Sequence, residues 1–298
     1  MKNQLFISAC LKHISYSREV VQQIYDCLLP YEVEVKEIEN HRNNVWCRDY
    51  MPVMNAKGEW VQFRYYPQYM IQDKKYLAQI PDNQAIKTEL KSLGIEVVPS
   101  NIILDGGAIE ILDKKAIVSD RVFRDNKEYR ETELLFLLKN QLKVDQLIII
   151  PQHPYDMTGH VDGLVRFVDE KTVVINDLHE EIREAKEMIS ANTNRYRGKL
   201  IEQWYYSFLM SLYNAELTVE ILPCNVHKNQ TDLDGNGIYI NFLLLDNLIL
   251  MPYYDNEDNF NQKAKESLER LYKKEAVGIY CSQLAKEGGM INCVTWQT

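Results

Sequence analysis

Short apolar runs of strand length recur along the whole chain, and longer segments with apolar residues every three or four positions lie between them. The strand-like runs fall at 5–9, 32–38, 60–63, 96–98, 109–112, 116–118, 147–150, 164–168, 172–175, 217–222, 238–244, 248–251, 277–280 and 290–295. Two of them come as close pairs around a charged turn, 110–116 through Asp113-Lys114-Lys115 and 167–173 through Asp169-Glu170-Lys171, which predicts β-hairpins. Helical spacing marks 17–28, where Val20, Val21, Ile24 and Leu28 share one face, and also 132–142, 181–189, 199–212 and 259–272. Pro30, Pro99, Pro151 and Pro223 punctuate element ends.

The order strand pair, helix, strand repeats without any sequence-level repeat. At ~30 residues or more for a βαβ-type unit, the chain holds roughly five such units. Alternating strands and helices predict α/β layers. Periodicity alone does not choose between an open sheet and a ring of units.

Composition adds few constraints. The chain has 298 residues, 46% hydrophobic and 26% charged, and no Ser/Gly/Pro-rich stretch resembles a linker, so one domain over 1–298 is expected. The formal net charge of -9 and the lack of a Lys/Arg patch argue against a nucleic-acid partner. No apolar run reaches membrane-spanning length, and the N-terminal residues turn polar too soon for the apolar core of a secretory signal. Six scattered cysteines (Cys10, Cys27, Cys47, Cys224, Cys281, Cys293) with no Cys-x-x-Cys fit reduced thiols in a cytoplasm. His13, His41, His153, His179 and His227 show no metal-ligand spacing, so no metal is expected. Thr231 through Gly237 lacks the downstream glutamate of a calcium loop, and there is no glycine-rich phosphate loop, so no cofactor is expected either.

Four segments carry candidate chemistry. Cys293 follows a Gly288-Gly289 pair in an apolar run. It reads either as a core cysteine or as a thiol near a close backbone approach, and a nucleophile there needs a cation or base to become thiolate. His160 and Asp162, bracketed by Gly159 and Gly163, would leave one face of an extended segment. Asp49 follows Trp46-Cys47-Arg48, where Arg48-Asp49 is also explained as an ion pair at a turn. Asp105-Gly106-Gly107 is equally a turn signal. Tyr65, Tyr66, Tyr69 and the pair Tyr205, Tyr206 read as aromatic packing or as ring faces for a cation.

Taken in order, Trp46-Cys47-Arg48-Asp49, Leu104-Asp105-Gly106-Gly107, Gly159-His160-Val161-Asp162 and Gly288 through Cys293 resemble the agmatine deiminase and bacterial-type peptidylarginine deiminase family of guanidine-modifying (pentein) enzymes. Gly237 through Phe242, with Leu248 through Pro252 and Asp255, is similar to that family's penultimate unit. The resemblance spans residues ~40–298 and implies a fold of five ββαβ units in a propeller, which agrees with the unit count. It implies Cys293 as nucleophile, His160 as general acid/base, and Asp49 and Asp162 as a guanidinium clamp. Asp105 stands where the family often has a glutamate that orients the histidine or helps hold substrate, and Trp46 and Arg48 join the expected substrate-binding set. Asn292 replaces a histidine that often precedes the cysteine, and Tyr50-Met51 replaces Thr-Gly.

The implied reaction is hydrolytic deimination of a small guanidino compound, agmatine-like or arginine-derived. Two carboxylates grip the planar cation in two-point fashion. The bound cation lowers the thiol pKa, and a covalent thiouronium then gives ammonia and a ureido product. Amidino transfer would use the same Cys, His and Asp side chains. A non-catalytic guanidino-binding protein is a further alternative. A Cys-His peptidase is disfavoured by the paired acidic positions, because an acyl oxyanion wants donors. A homo-oligomer is compatible with the sequence.

Overall fold

The computed structural model describes residues 4–31, 33–71, 74–226, 231, 233–255 and 259–298. His227 and Asp232 lie outside these residues, as does Glu32 at the start of one expected strand. The architecture is the five-unit pentein propeller expected from the resemblance, with five small sheets of three strands each.

The first sheet joins β1 (Gln4–Ser8) and β2 (Glu34–Ile38) to β15 (Thr295–Gln297), the last strand of the chain. The second holds β3 (Val53–Met54), β4 (Trp60–Arg64) and β5 (Val97–Ile103). The third holds β6 (Ile109–Leu112), β7 (Lys115–Ser119) and β8 (Gln146–Ile150). The fourth holds β9 (Val165–Asp169), β10 (Thr172–Asn176) and β11 (Thr218–Leu222), and the fifth β12 (Leu243–Leu244), β13 (Leu248–Tyr253) and β14 (Glu275–Tyr280).

Every unit is built alike. A central strand pairs antiparallel with one neighbour and parallel with the other, as β7 does with β6 and β8. A parallel pair cannot be joined by a tight turn, so a helical crossover returns the chain each time. Central strands are the most buried: β7 and β10 are buried over their last four residues and β13 over its first five. The outer parallel strands β2 and β11 face solvent on one side and end on a single buried residue. In the first sheet, β1 takes the central place and β15 supplies the antiparallel partner, with Phe6 opposite Trp296. The two ends of the chain therefore share one sheet.

Most of the expected elements appear, and the crossover helices Arg18–Leu28, Glu131–Leu142, His179–Ser190, Arg195–Asn214 and Phe260–Tyr272 match the 3.6-residue spacing. Three expectations are corrected. The run 290–295 is buried, but it is a turn at 291–294, and only Thr295–Gln297 is strand. Thr295 Oγ1 donates to the Ile291 carbonyl at 2.8 Å, which satisfies an acceptor that a strand would have offered to a neighbour. The run 238–244 is strand only at Leu243–Leu244. His160 is extended, but Val161–Gly163 forms a single 3-10 turn, so His160 and Asp162 do not leave one face of a strand.

The helix Asn83–Ser92 was not marked by the pattern. It has only Ile86 and Leu90 as buried contacts, and its start is fixed by Asp82, whose side chain accepts from the Gln84 N–H.

Candidate active site

The innermost strand of each sheet (β15, β3, β6, β9, β12) is entered through a tight turn, and the candidate residues sit in those turns. Asp49 lies in the helical turn Cys47–Tyr50 before β3. Asp105 precedes the 3-10 turn Gly106–Ala108 before β6. His160 and Asp162 precede and occupy the turn before β9, Asn241 comes just before β12, and Cys293 just before β15. Closing the ring brings five distant stretches of sequence to one end of the axis. Asp49, Asp105, His160, Asp162 and Cys293 are all at most 8% exposed.

His160 is the hub. Its Nε2 lies 3.1 Å from Asp105 Oδ2 and its Nδ1 3.6 Å from Asp49 Oδ1. Burial opposes a charge on the ring, but the Asp49 charge and the Asp105 hydrogen bond outweigh it and raise the imidazolium pKa to about 10. Close approach depends on Gly107, since a Cβ there would sit 2.7 Å from His160 Nδ1 and 2.8 Å from Asp49 Oδ1. The Gly107 N–H donates to Asp49 Oδ1 at 3.1 Å.

The sulfur lies in a second cluster. Cys293 Sγ is 3.4 Å from Asn241 Oδ1 and 4.0 Å from Asp162 Oδ2. Asn241 Oδ1 also accepts the backbone N–H of Asn292 at 3.1 Å and that of Cys293 at 3.4 Å, which pins the turn. Asn292 Nδ2 donates to Asp162 Oδ2 at 2.7 Å. Burial, with the charges of Asp162 and Asp49, pushes the thiol pKa well above its ordinary value. Asp162 Oδ1 and Asp105 Oδ1 are buried and accept no hydrogen bond among the described residues. A buried carboxylate oxygen without a donor is costly and marks a place for an external donor.

Three further side chains have evident parts in this arrangement, and the sequence assigns none of them a site role, although Tyr69 belongs to a tyrosine cluster and Asn241 to the family-like segment 237–242. Arg121 is 3.6 Å from Asp105 Oδ2 and 2.9 Å from Asp125 Oδ2, and it donates to the Thr158 carbonyl. Its guanidinium lies over the Tyr69 ring, 4.3 Å from the centroid, and the Tyr69 hydroxyl donates to Asp105 Oδ2 at 3.3 Å. The ring-face cation contact considered for the tyrosines is thus made at Tyr69 by the protein's own arginine. Asn241, the third, lies inside the apolar run 238–244 and shows its purpose only through its contacts.

Trp46 and Arg48 are placed differently from the carboxylates. The Trp46 ring packs against Gly289, where a Cβ would collide with it, and Gly288 before it has φ +92°. That is the close approach the Gly-Gly pair implied. The Arg48 N–H donates to the Cys293 carbonyl at 3.0 Å, joining the first of the five axial turns to the last, while its side chain lines a separate cavity along the axis.

The pair His160–Asp49 makes a stability prediction. In the folded, ligand-free protein Asp49 keeps its proton up to about pH 7 against an ordinary 3.8, because burial outweighs the pull of His160, and His160 keeps its proton to about 10 against 6.5. In both windows the native state binds more protons than the unfolded chain, so this pair makes stability fall as pH rises from about 4 to about 10. Thermal midpoints of the native protein and Asp49→Asn, measured from pH 4 to 7, should show the native protein losing stability relative to the variant. Parallel curves would refute the assignment.

A sequence profile of the Porphyromonas-type peptidyl-arginine deiminase family matches residues 7–298. The agmatine deiminase of Pseudomonas fluorescens is 23% identical, covering 88% of this chain and 76% of that protein. A cysteine-to-serine variant of C. jejuni agmatine deiminase with substrate bound superposes with a TM-score of 0.70 at 14% identity, over 99% of this chain and 93% of that one. The DDAH of Pseudomonas aeruginosa, in complex with citrulline, gives 0.59 at 7% identity over the whole of both chains. With its fold, its five axial turns and a profile match that runs through the terminal cysteine, this chain belongs to the Porphyromonas-type peptidyl-arginine deiminase family.

Proposed function

We propose that the chain is one functional domain that hydrolyses a small guanidino compound through a covalent intermediate on Cys293. The observation that carries this reading is the buried oxygen of Asp162 that has no donor among the described residues, in a carboxylate whose other oxygen lies 4.0 Å from the thiol. A planar cation with N–H donors satisfies that oxygen and presents its carbon to the sulfur. Asp49 is the second acceptor of the clamp.

Substrate charge activates the nucleophile. Without ligand, burial and the carboxylates hold Cys293 as thiol. A guanidinium between Asp49 and Asp162 offsets those charges and favours loss of the thiol proton to solvent. The thiolate then attacks the guanidinium carbon and forms a C–S bond. His160, held as imidazolium by Asp105 and Asp49, gives its proton to the departing nitrogen, the C–N bond breaks and ammonia leaves. The neutral imidazole next takes a proton from water as that water attacks the thiouronium carbon. The C–S bond breaks, the thiolate is restored, and the ureido product departs with the remaining proton released to solvent. Arg121 and Tyr69 keep Asp105 aimed at Nε2, which leaves Nδ1 for the proton transfers.

The test is ammonia release from agmatine, free arginine, arginine-containing peptides and small guanidino acids. At least one should release ammonia with the native protein, and that compound names the substrate. No release from any of them would refute hydrolysis. If release then appeared only as transfer of the amidino group to an added amine, the same residues would be serving a transferase.

A further inference from the structure

Behind the catalytic turns the five innermost strands enclose a cavity of about 430 Å³. Met54, Ile111, Phe167, Leu244 and Trp296 line it, one from each of those strands, so it lies on the axis of the ring. None of the five catalytic side chains lines it. Their chain neighbours Arg48, Gly106 and Asn292 do, which puts cavity and catalytic site on opposite sides of the same turns.

Its wall is mixed: Trp60, Phe167, Leu244 and Trp296 give it apolar surface, and polar side chains, Glu110 and Asp246 among them, line the rest together with two arginines. Arg48 and Arg166 both line it. Arg166 is engaged: its Nε lies 3.0 Å from Glu110 Oε1, its Nη1 donates to the Phe242 carbonyl at 2.7 Å, and its guanidinium sits over the Phe242 ring. Arg48 is not. Its side-chain hydrogen bond among the described residues is a 3.4 Å contact from Nε to the Asn292 carbonyl, and no carboxylate pairs with it. Burial and the like charge of Arg166 act on Arg48 ahead of the pull of Asp162 from across the turn. Of the acidic lining residues, Glu110 is committed to Arg166 and Asp246 is exposed to solvent.

Two adjacent guanidiniums, Arg166 buried and Arg48 half-buried, with one engaged carboxylate between them carry a partial desolvation cost. A planar carboxylate meets the fork of an arginine in two-point fashion and removes that cost, while Trp60, Phe167 and Trp296 offer apolar surface to whatever carries it. We propose that the axial cavity is a binding site for a small organic carboxylate, its head on Arg48 beside Arg166 and its apolar body against the tryptophans. It is separate from the guanidino site and stands independently of the proposed reaction.

Calorimetric titration of the full chain with benzoate and with its neutral isostere benzamide tests this. Benzoate should bind saturably, and benzamide at least about tenfold more weakly, as loss of a charge-assisted hydrogen bond requires. Arg48→Gln should weaken benzoate by a similar factor, and Cys293→Ala should leave it unchanged. Equal binding of benzamide, unchanged binding in Arg48→Gln, or no benzoate binding up to about 10 mM would overturn the proposal. Should Arg48→Gln fail to fold, a crystal of the native protein with 4-iodobenzoate decides alone. An anomalous iodine peak inside the cavity supports the site, and a peak only at Cys293 or on the surface overturns it.

Discussion

Cys293→Ala is expected to lower ammonia release by at least ~10⁴-fold while leaving the fold intact, because covalent catalysis ends with the sulfur. The structural cost is small. The thiol is one of three groups on Asn241 Oδ1, and the backbone N–H groups of Asn292 and Cys293 stay there to hold the turn. The variant should therefore melt within a few degrees of the native protein and still bind substrate, and an acid-quenched mixture of the native protein should carry a substrate-derived mass on Cys293. His160→Gln keeps the nucleophile and loses only proton transfer, so a smaller defect of ~10²–10⁴-fold is expected. Activity surviving in Cys293→Ala would remove the thiouronium route altogether.

Asp162→Asn should move two measurements in opposite directions. Removing one member of a buried ion pair costs about 3–5 kcal/mol, so kcat/KM should fall roughly 10²- to 10⁴-fold. An asparagine there can still accept from Asn292 Nδ2, which now meets Asp162 Oδ2 at 2.7 Å, so the turn keeps its tie. The ligand-free thiol, in contrast, should become more reactive. After burial, the Asp162 charge is the largest cause holding the Cys293 pKa up. Its loss should speed alkylation of Cys293 by iodoacetamide at neutral pH relative to the native protein. A variant that loses activity and also alkylates more slowly has lost its local structure instead, and the clamp assignment would fall with it.

Asp105 and Asn292 are departures from the family's pattern whose contacts lie in the site itself. Asp105, shorter than glutamate by one methylene, meets His160 Nε2 and is held there by Tyr69 and Arg121. Asn292 supplies a neutral donor to Asp162, so it adds no charge beside the thiol.

Much of this was legible before any coordinates. Hydrophobic spacing gave the hairpin β6–β7, with the limits of β6 matched residue for residue, and the long crossover helices, because a half-buried element repeats its burial at its own period. The same reasoning failed at 238–244 and 290–295. Tyr239, Ile240, Asn241 and Phe242 are buried, as are Ile291, Asn292, Cys293 and Val294, and a run buried on all sides has no period to read. Apolar character there reported depth, and the backbone turned instead of pairing. Asp105, His160 and Asp162 stand directly beside glycines and Cys293 shortly after a Gly-Gly pair, a local mark of close approach. Asp49 has no glycine near it and stands out through the order of the four family-like segments. Arg121 carries no local signal, Tyr69 shows only as one of a tyrosine cluster and Asn241 only within the family-like segment 237–242, so the contacts of all three stay hidden in the sequence. Each acquires its contact only when the ring closes and sets one inner turn against the next. The sequence by itself thus determined the rhythm of strands and helices, and its resemblance to the family supplied the five-unit ring and the candidate nucleophile, acid and carboxylates. The tertiary structure alone decided which charges face one another, hence where the thiol and imidazole titrate and where Arg48 points, since those depend on distances across units far apart in the chain.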